Sequence, residues 1–405
     1  DCSEKQLVSY FKLLYSNSNC EHIILKDNND IVELTITKKT KKRIFFIHNN
    51  RKGGVDKYVN DIIKLYPDFE YIFLENKANM DSFIFQDDII FVQNFLGNTN
   101  IKIQDVINIV EKQKEKIKII IAIHDFVWLC KDQDNYSYKI PNSYLDNNIE
   151  IVPEVRHLWY LAHTIIMNSQ FTYDIYSKYF DSSNFVLSPL PDYIIKASIK
   201  NIPHIKDNKI NLGVFSHLCK YKGERYIFYL KNKYKNENIN FCIVGENIPY
   251  YNEKGFFDHL RKYNINGFLM LNEWGETYSY LLTKIINSGL PLLYNNFGAL
   301  KERVPHNTEH YFKVFDFEQR EDNTNFALLD SKFDEFIKYI QKNQGHSEPM
   351  YENLQIHCSQ LYDKIFREES SNIYKNIDSN KILIYTGSNN KLWNYSHIDK
   401  FSLGG

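Results

Sequence analysis

With 405 residues, 43% of them hydrophobic and 15% aromatic, the chain is long enough for two ordinary domains with sizeable cores. A formal net charge of −1 gives no support to general nucleic-acid or membrane-surface binding. No apolar run approaches the roughly 20 residues of a membrane span. The N-terminus, Asp1-Cys2-Ser3-Glu4-Lys5, has no signal-peptide core and no initiator Met, as in an excised piece of a longer chain. The six cysteines (Cys2, Cys20, Cys130, Cys219, Cys242, Cys358) form no Cys-x-x-Cys pair and read as reduced thiols of a cytoplasmic protein.

Residues 1–40 read as an extension with a small hairpin, His22 to Thr37, around Lys26-Asp27-Asn28-Asn29-Asp30. The basic run Lys38 to Arg43 reads as a solvated edge before a strand. A first series of apolar runs follows at Ile44–Ile47, Tyr71–Leu74, Ile89–Val92, Ile117–Ile123, Thr164–Met167 and Phe185–Leu187. The first of these leads into His48-Asn49-Asn50-Arg51-Lys52-Gly53-Gly54 and an amphipathic helix, Val55 to Tyr66. Glycines between a strand and a helix let backbone approach a ligand closely. Ile117–Ile123 ends in His124-Asp125-Phe126-Val127-Trp128, where strand ends of a parallel sheet line the ligand crevice. Asp132 and Asp134 read as an exposed turn rather than a metal site.

Prolines from Pro189 to Pro203 and the polar stretch His204 to Lys209 mark a connection. A second series of apolar runs follows at Asn211–Phe215, Phe241–Val244, Phe268–Leu271 and Leu292–Tyr294. Continuous hydrophobicity predicts strands covered on both faces, and the β-then-α order predicts doubly wound α/β domains. Between these strands lie Lys222-Gly223, Gly245-Glu246 and Glu273-Trp274-Gly275, with Gly298-Ala299-Leu300-Lys301-Glu302-Arg303 after the last. Met350 to Ile377 reads as one long helix. Lys381 to Gly387 reads as a fresh strand and turn before the end at Gly404-Gly405.

The segment Glu276-Thr277-Tyr278-Ser279-Tyr280 to Gly289-Leu290-Pro291 carries the most chemistry. Apolar side chains at Tyr278, Leu281, Leu282, Ile285 and Ile286 predict one buried helical face, with Glu276 opening the helix. A carboxylate beside helix-terminal N–H groups suits a sugar linked to a diphosphate.

This segment resembles the donor motif of retaining glycosyltransferases of the GT-B fold, family 4, in a Glu-Thr-Tyr-Ser-Tyr variant. Matching pieces span roughly Arg43 to Arg303 in order. The resemblance implies two Rossmann-like doubly wound domains facing a central cleft. It places the acceptor domain in 41–195, the donor domain in 205–345, a crossover helix in 350–378, and the start of a further linked transferase domain in 380–405. It implies transfer of a hexosyl- or deoxyhexosyl-type unit from a UDP-, GDP- or dTDP-sugar to a glycan, glycolipid or glycoprotein hydroxyl. No metal or cofactor is implied. His124, Lys222 and Glu276 take the catalytic positions. Gly53, Gly54, Asp125, Gly245, Glu246, Thr277, Tyr278, Ser279, Tyr280 and Lys284 take donor-binding ones.

Two departures stand out. Many members carry an Arg where this chain has Val214, and a second Glu, used for ribose hydroxyls, where it has Lys284. A lysine only donates and cannot accept from two hydroxyls. A deoxyribose nucleotide such as dTDP would lose less. The same departures suit a catalytically impaired pseudo-glycosyltransferase module. The motifs of a GT-B sugar-nucleotide epimerase are not evident, and the neutral charge disfavours a nucleic-acid glucosylating enzyme.

Overall fold

The computed structural model of the chain describes residues 23–27, 30–34, 42–47, 53–74, 88–93, 101–113, 117–129, 149, 151–191, 209–245, 253–305, 308–316, 326–343, 354–367, 384–385 and 392–393. Asp132, Asp134, Glu246 and most of the connection after Pro191 lie outside these residues. Near the N-terminus β1 (Ile23–Asp27) and β2 (Asp30–Leu34) pair antiparallel, with Asp27 opposite Asp30.

The first sheet is built by β3 (Arg43–Ile47), α1 (Gly54–Leu65), β4 (Glu70–Phe73), β5 (Ile89–Val92), α2 (Ile103–Gln113), β6 (Lys118–Ala122), α3 (Pro153–Leu161), β7 (Thr164–Met167), α4 (Gln170–Tyr176) and β8 (Phe185–Leu187). Its strands run parallel in the order β4-β3-β5-β6-β7-β8. The chain steps from β3 to β4, returns to the other side at β5, and continues outward. The crevice outside β3 and β5 is therefore the topological switch point, the usual ligand site of such sheets. Ile44 and Phe46 join one buried cluster and Phe45 and Ile47 another. Helices cover both faces, which is why the strands are continuously apolar.

The second sheet takes β9 (Ile210–Val214), α5 (Glu224–Lys233), β10 (Ile239–Ile243), α6 (Glu253–Tyr263), β11 (Gly267–Met270), α7 (Tyr280–Ser288), β12 (Leu292–Asn296), α8 (Ala299–Arg303), β13 (Tyr311–Asp316) and α9 (Phe326–Asn343). It is parallel, in the order β10-β9-β11-β12-β13, with its switch point between β9 and β11. Phe268 and Met270 face one core cluster, Leu269 and Leu271 the other.

From the second sheet the chain returns to the first through α10 (Leu354–Arg367). Tyr362, Ile365 and Phe366 of α10 are buried with Tyr58, Val59 and Ile62 of α1 and Ile44 and Phe46 of β3. The Tyr58 and Tyr362 hydroxyls are 2.9 Å apart, and Arg367 pairs with Asp68 at 2.6 Å. Each large side chain buried here contributes about 1.5–3 kcal/mol, so the late helix completes the first domain's core. Two parallel-sheet α/β domains with a returning helix form the GT-B arrangement. Beyond it, β14 (Ile384–Tyr385) and β15 (Leu392–Trp393) pair antiparallel. No helix among the described residues is long and apolar enough to cross a membrane.

Candidate functional site

Lys222 ends a short turn, Lys220–Lys222, that follows β9. The next residue, Gly223, has φ +80°, and a Cβ there would lie 2.0 Å from the Leu271 carbonyl oxygen. Only glycine permits this approach. It brings the turn against the end of β11, where the Glu273 N–H also donates to the Tyr221 carbonyl at 2.8 Å. Lys222 is thereby delivered to Glu276, and its Nζ donates to Glu276 Oε1.

Glu276 is only 8% exposed. The same Oε1 accepts from Asn272 Nδ2 at 2.5 Å and from Trp274 Nε1 at 3.1 Å. Asn272 is held in turn, because Asn295 Nδ2 donates to its carbonyl at 3.0 Å. The Lys222 ammonium lies 5.1 Å from the Trp274 ring centroid and 5.9 Å from that of Tyr221. A cation, a carboxylate and an indole thus converge at the second sheet's switch point. Charge-assisted hydrogen bonds of this kind are the strong ones.

The sequence pattern predicts that Glu276 opens the helix, but α7 starts four residues later, at Tyr280. Two constraints delay it. Glu276 forms an isolated parallel bridge with Gly298, and its carbonyl accepts from the Ala299 N–H at 2.8 Å. Gly298 has φ +63°, and a Cβ there would lie 2.7 Å from both the N and the O of Glu276. Ser279 then adopts φ 74° and caps α7, accepting from the Leu282 N–H at 3.3 Å. The expected one-sided burial also differs. From Leu282 to Ser288 every residue of α7 is buried, while Leu281 is half-buried. Lys284, one turn after Tyr280, is 3% exposed.

On the first domain, His124 follows β6 and Gln93 follows β5. His124 Nε2–H donates to Gln93 Oε1 at 2.6 Å, and the Tyr58 ring meets the imidazole edge-on at 4.9 Å. The Asp125 carboxylate accepts from the Val127 N–H at 3.1 Å, yet burial pushes its pKa up to about 6. Gly53 and Gly54 begin α1. Neither lies in the left-handed region, since φ of Gly53 is 169°. Their smallness counts instead, because a Cβ on Gly54 would touch the Tyr280 ring at 3.8 Å. Gly245 lies two residues after β10, with open space where a Cβ would stand.

The two halves meet through the donor-motif segment itself. Thr277 Oγ1–H donates to the His124 carbonyl at 2.7 Å. Tyr278 is buried in the first domain's core cluster, and its hydroxyl donates to the Leu190 carbonyl at 3.3 Å. The Lys57 ammonium, paired with Asp61 at 2.5 Å, sits 4.4 Å from the Tyr280 ring centroid. Glu276, Lys222 and Asn272 thus form one group, joined through Thr277 to His124 and Gln93. Pattern reading passed over Gln93, Asn272 and Lys57. A polar residue at the end of an apolar strand is the available signal for the first two.

Glu302 of α8 adds a second link, accepting the Gln170 N–H at 2.9 Å and the Phe171 N–H at 2.5 Å at the start of α4. Burial outweighs these bonds and lifts its pKa to about 7, with Asp174 adding to the rise and Arg303 opposing it. A carboxyl raised from 4.5 in the folded state adds stability that is full below pH 4.5 and is lost as pH rises through about 7. Wild type should therefore gain stability over Glu302→Gln as pH falls from 8 to 5, by up to about 1.4 kcal/mol per pH unit. Denaturant unfolding of both proteins across that range checks this; a constant difference would return Glu302 to an ordinary pKa.

No family model and no curated protein sequence matches this chain. Several solved structures are similar to this chain at low identity. HepE from Anabaena, in complex with UDP-glucose, is 12% identical, with a TM-score of 0.47 over 83% of this chain and 98% of that one. Sucrose-phosphate synthase from Thermosynechococcus elongatus is 11% identical, with a TM-score of 0.48 over 80% and 99%. The lipopolysaccharide outer core galactosyltransferase WaaB is 10% identical, with a TM-score of 0.47 over 82% and 98%.

Proposed function

We propose that this chain is a cytoplasmic retaining glycosyltransferase that moves a hexosyl- or deoxyhexosyl-type unit from a nucleoside-diphosphate donor to an acceptor hydroxyl. The observation that carries the reading is the pairing of Lys222 with Glu276 at the second sheet's switch point. Glu276 is the group suited to sugar hydroxyls and Lys222 the group suited to the diphosphate. His124 would face the sugar from the first domain.

In this reading the bond from the anomeric carbon to the diphosphate oxygen breaks while the acceptor oxygen bonds on the same face. The acceptor's proton passes to the departing phosphate oxygen. Lys222 stabilises the charge that develops there, which is the largest contribution such sites make. With that cation supplied by a side chain, the reading requires no metal.

A second reading, a non-catalytic module with this fold, is favoured by Lys284 in place of an accepting carboxylate. One experiment separates them. The protein is screened for thermal shift and for release of free sugar with UDP-, GDP- and dTDP-sugars. A ligand at 100 times its Kd should add about 2.7 kcal/mol of stability. Sugar release supports the enzyme. Failure to bind any nucleotide sugar supports the module and overturns the enzyme reading.

A further inference from the structure

Ser279 has the least expected backbone in the donor-motif segment, at φ 74° and ψ 94°. The other described non-glycine residue with positive φ is Asn264, a type that tolerates it. Serine does so far less readily. What holds Ser279 there is Arg303. Its Nη1 donates to the Tyr278 carbonyl at 2.6 Å and to the Ser279 carbonyl at 2.9 Å. Its Nη2 donates to Thr283 Oγ1 at 2.6 Å, and the guanidinium lies 3.7 Å from the Tyr278 ring centroid. In an extended residue the flanking carbonyls point to opposite sides. Here both accept from the one Nη1 of Arg303, which favours the unusual turn.

Arg303 is 8% exposed and ends α8, the helix whose first residue donates to the Glu276 carbonyl. A five-residue helix therefore grips the segment twice: at Glu276 through its first backbone N–H, and at Tyr278–Ser279 through its last side chain. We propose that Arg303 is a positioning residue for sugar transfer. It fixes the turn that presents Glu276 and the first turn of α7 to the donor sugar. This rests on the glycosyltransferase reading.

The test uses Arg303→Met, Arg303→Lys, Ser279→Gly and the double variant Arg303→Met with Ser279→Gly. Turnover of the donor found by screening is measured beside calorimetric affinity for the bare nucleoside diphosphate. A site group misplaced by about 1 Å can cost about 100-fold in rate. Arg303→Met should lower kcat at least about tenfold while the bare diphosphate binds within about threefold. Lysine keeps the charge and one nitrogen for the two carbonyls but loses the bond to Thr283 Oγ1, so its kcat should fall between those of Arg303→Met and wild type.

Ser279→Gly alone sets the reference kcat for the double variant, since the serine side chain itself stands among the donor-binding positions and caps α7. In the Arg303→Met background it should recover most of the lost kcat, because glycine adopts positive φ freely and restores the population of the productive turn. A merely structural arginine would lower thermal stability without this recovery. Unchanged kcat in Arg303→Met, or a loss that Ser279→Gly leaves in place, overturns the proposal. If Arg303→Met does not fold, Arg303→Lys with and without Ser279→Gly gives the same comparison. An inactive wild type overturns the enzyme reading and this proposal with it, whereas an active wild type with an unaffected Arg303→Met overturns this proposal alone.

Discussion

Glu276→Gln should lower sugar transfer roughly 10- to 100-fold and leave the affinity for the bare nucleoside diphosphate (UDP, GDP or dTDP, whichever the screen finds; written UDP below) unchanged or tighter. Glutamine has the same shape, and its Oε1 can still accept from Asn272 and Trp274. What it loses is the charge offered to sugar hydroxyls, where one charged hydrogen bond is worth about 1.5–3 kcal/mol. The bare diphosphate has no sugar and so loses nothing. It could even gain, because Lys222 no longer has a carboxylate to hold it. Steady-state turnover and UDP calorimetry on one preparation make the comparison. Equal losses for both ligands would place Glu276 on the nucleotide or in the fold.

The sheets were the legible part of this chain. Ile89–Val92, Thr164–Met167 and Phe185–Leu187 are strands at the limits read from the sequence, because a strand buried on both faces admits no polar interruption. β13 was missed. Its sequence, Tyr311-Phe312-Lys313-Val314-Phe315-Asp316, belongs to an edge strand and carries a lysine. The site was legible as residue types but not as contacts. Lys222-Gly223 could be picked out, but not that Gly223 must lie against the Leu271 carbonyl.

The start of α7 departs from its sequence pattern for a related reason. Periodicity cannot register a bridge from Glu276 to Gly298, 22 positions along, or an arginine that holds Ser279 in positive φ. Tyr278 fitted the helical pattern because it is buried, but it is buried in the other domain's core. Burial in a pattern does not say against what.

Lys222→Ala should weaken the bare nucleoside diphosphate, whether UDP, GDP or dTDP, roughly 10- to 100-fold, since a charged hydrogen bond to phosphate is worth about 1.5–3 kcal/mol. The lysine is also the charged partner of Glu276, with side chains 22% and 11% exposed, so its removal should cost some stability too. Asn272 and Trp274 remain on the carboxylate and limit that loss. The two substitutions then act on one unit and cannot add. Any gain in UDP affinity from Glu276→Gln needs a lysine to release. In the Lys222→Ala background, Glu276→Gln should therefore leave UDP affinity where Lys222→Ala alone set it. Neighbours in one ion-pair network show interaction energies of about 0.5–3 kcal/mol, large enough to read by calorimetry. Strict additivity would mean that Lys222 and Glu276 serve the ligand separately, and their pairing would have no part in binding. Unchanged UDP affinity in Lys222→Ala would take the lysine out of the diphosphate site, and the pair would then be a support for Glu276 alone.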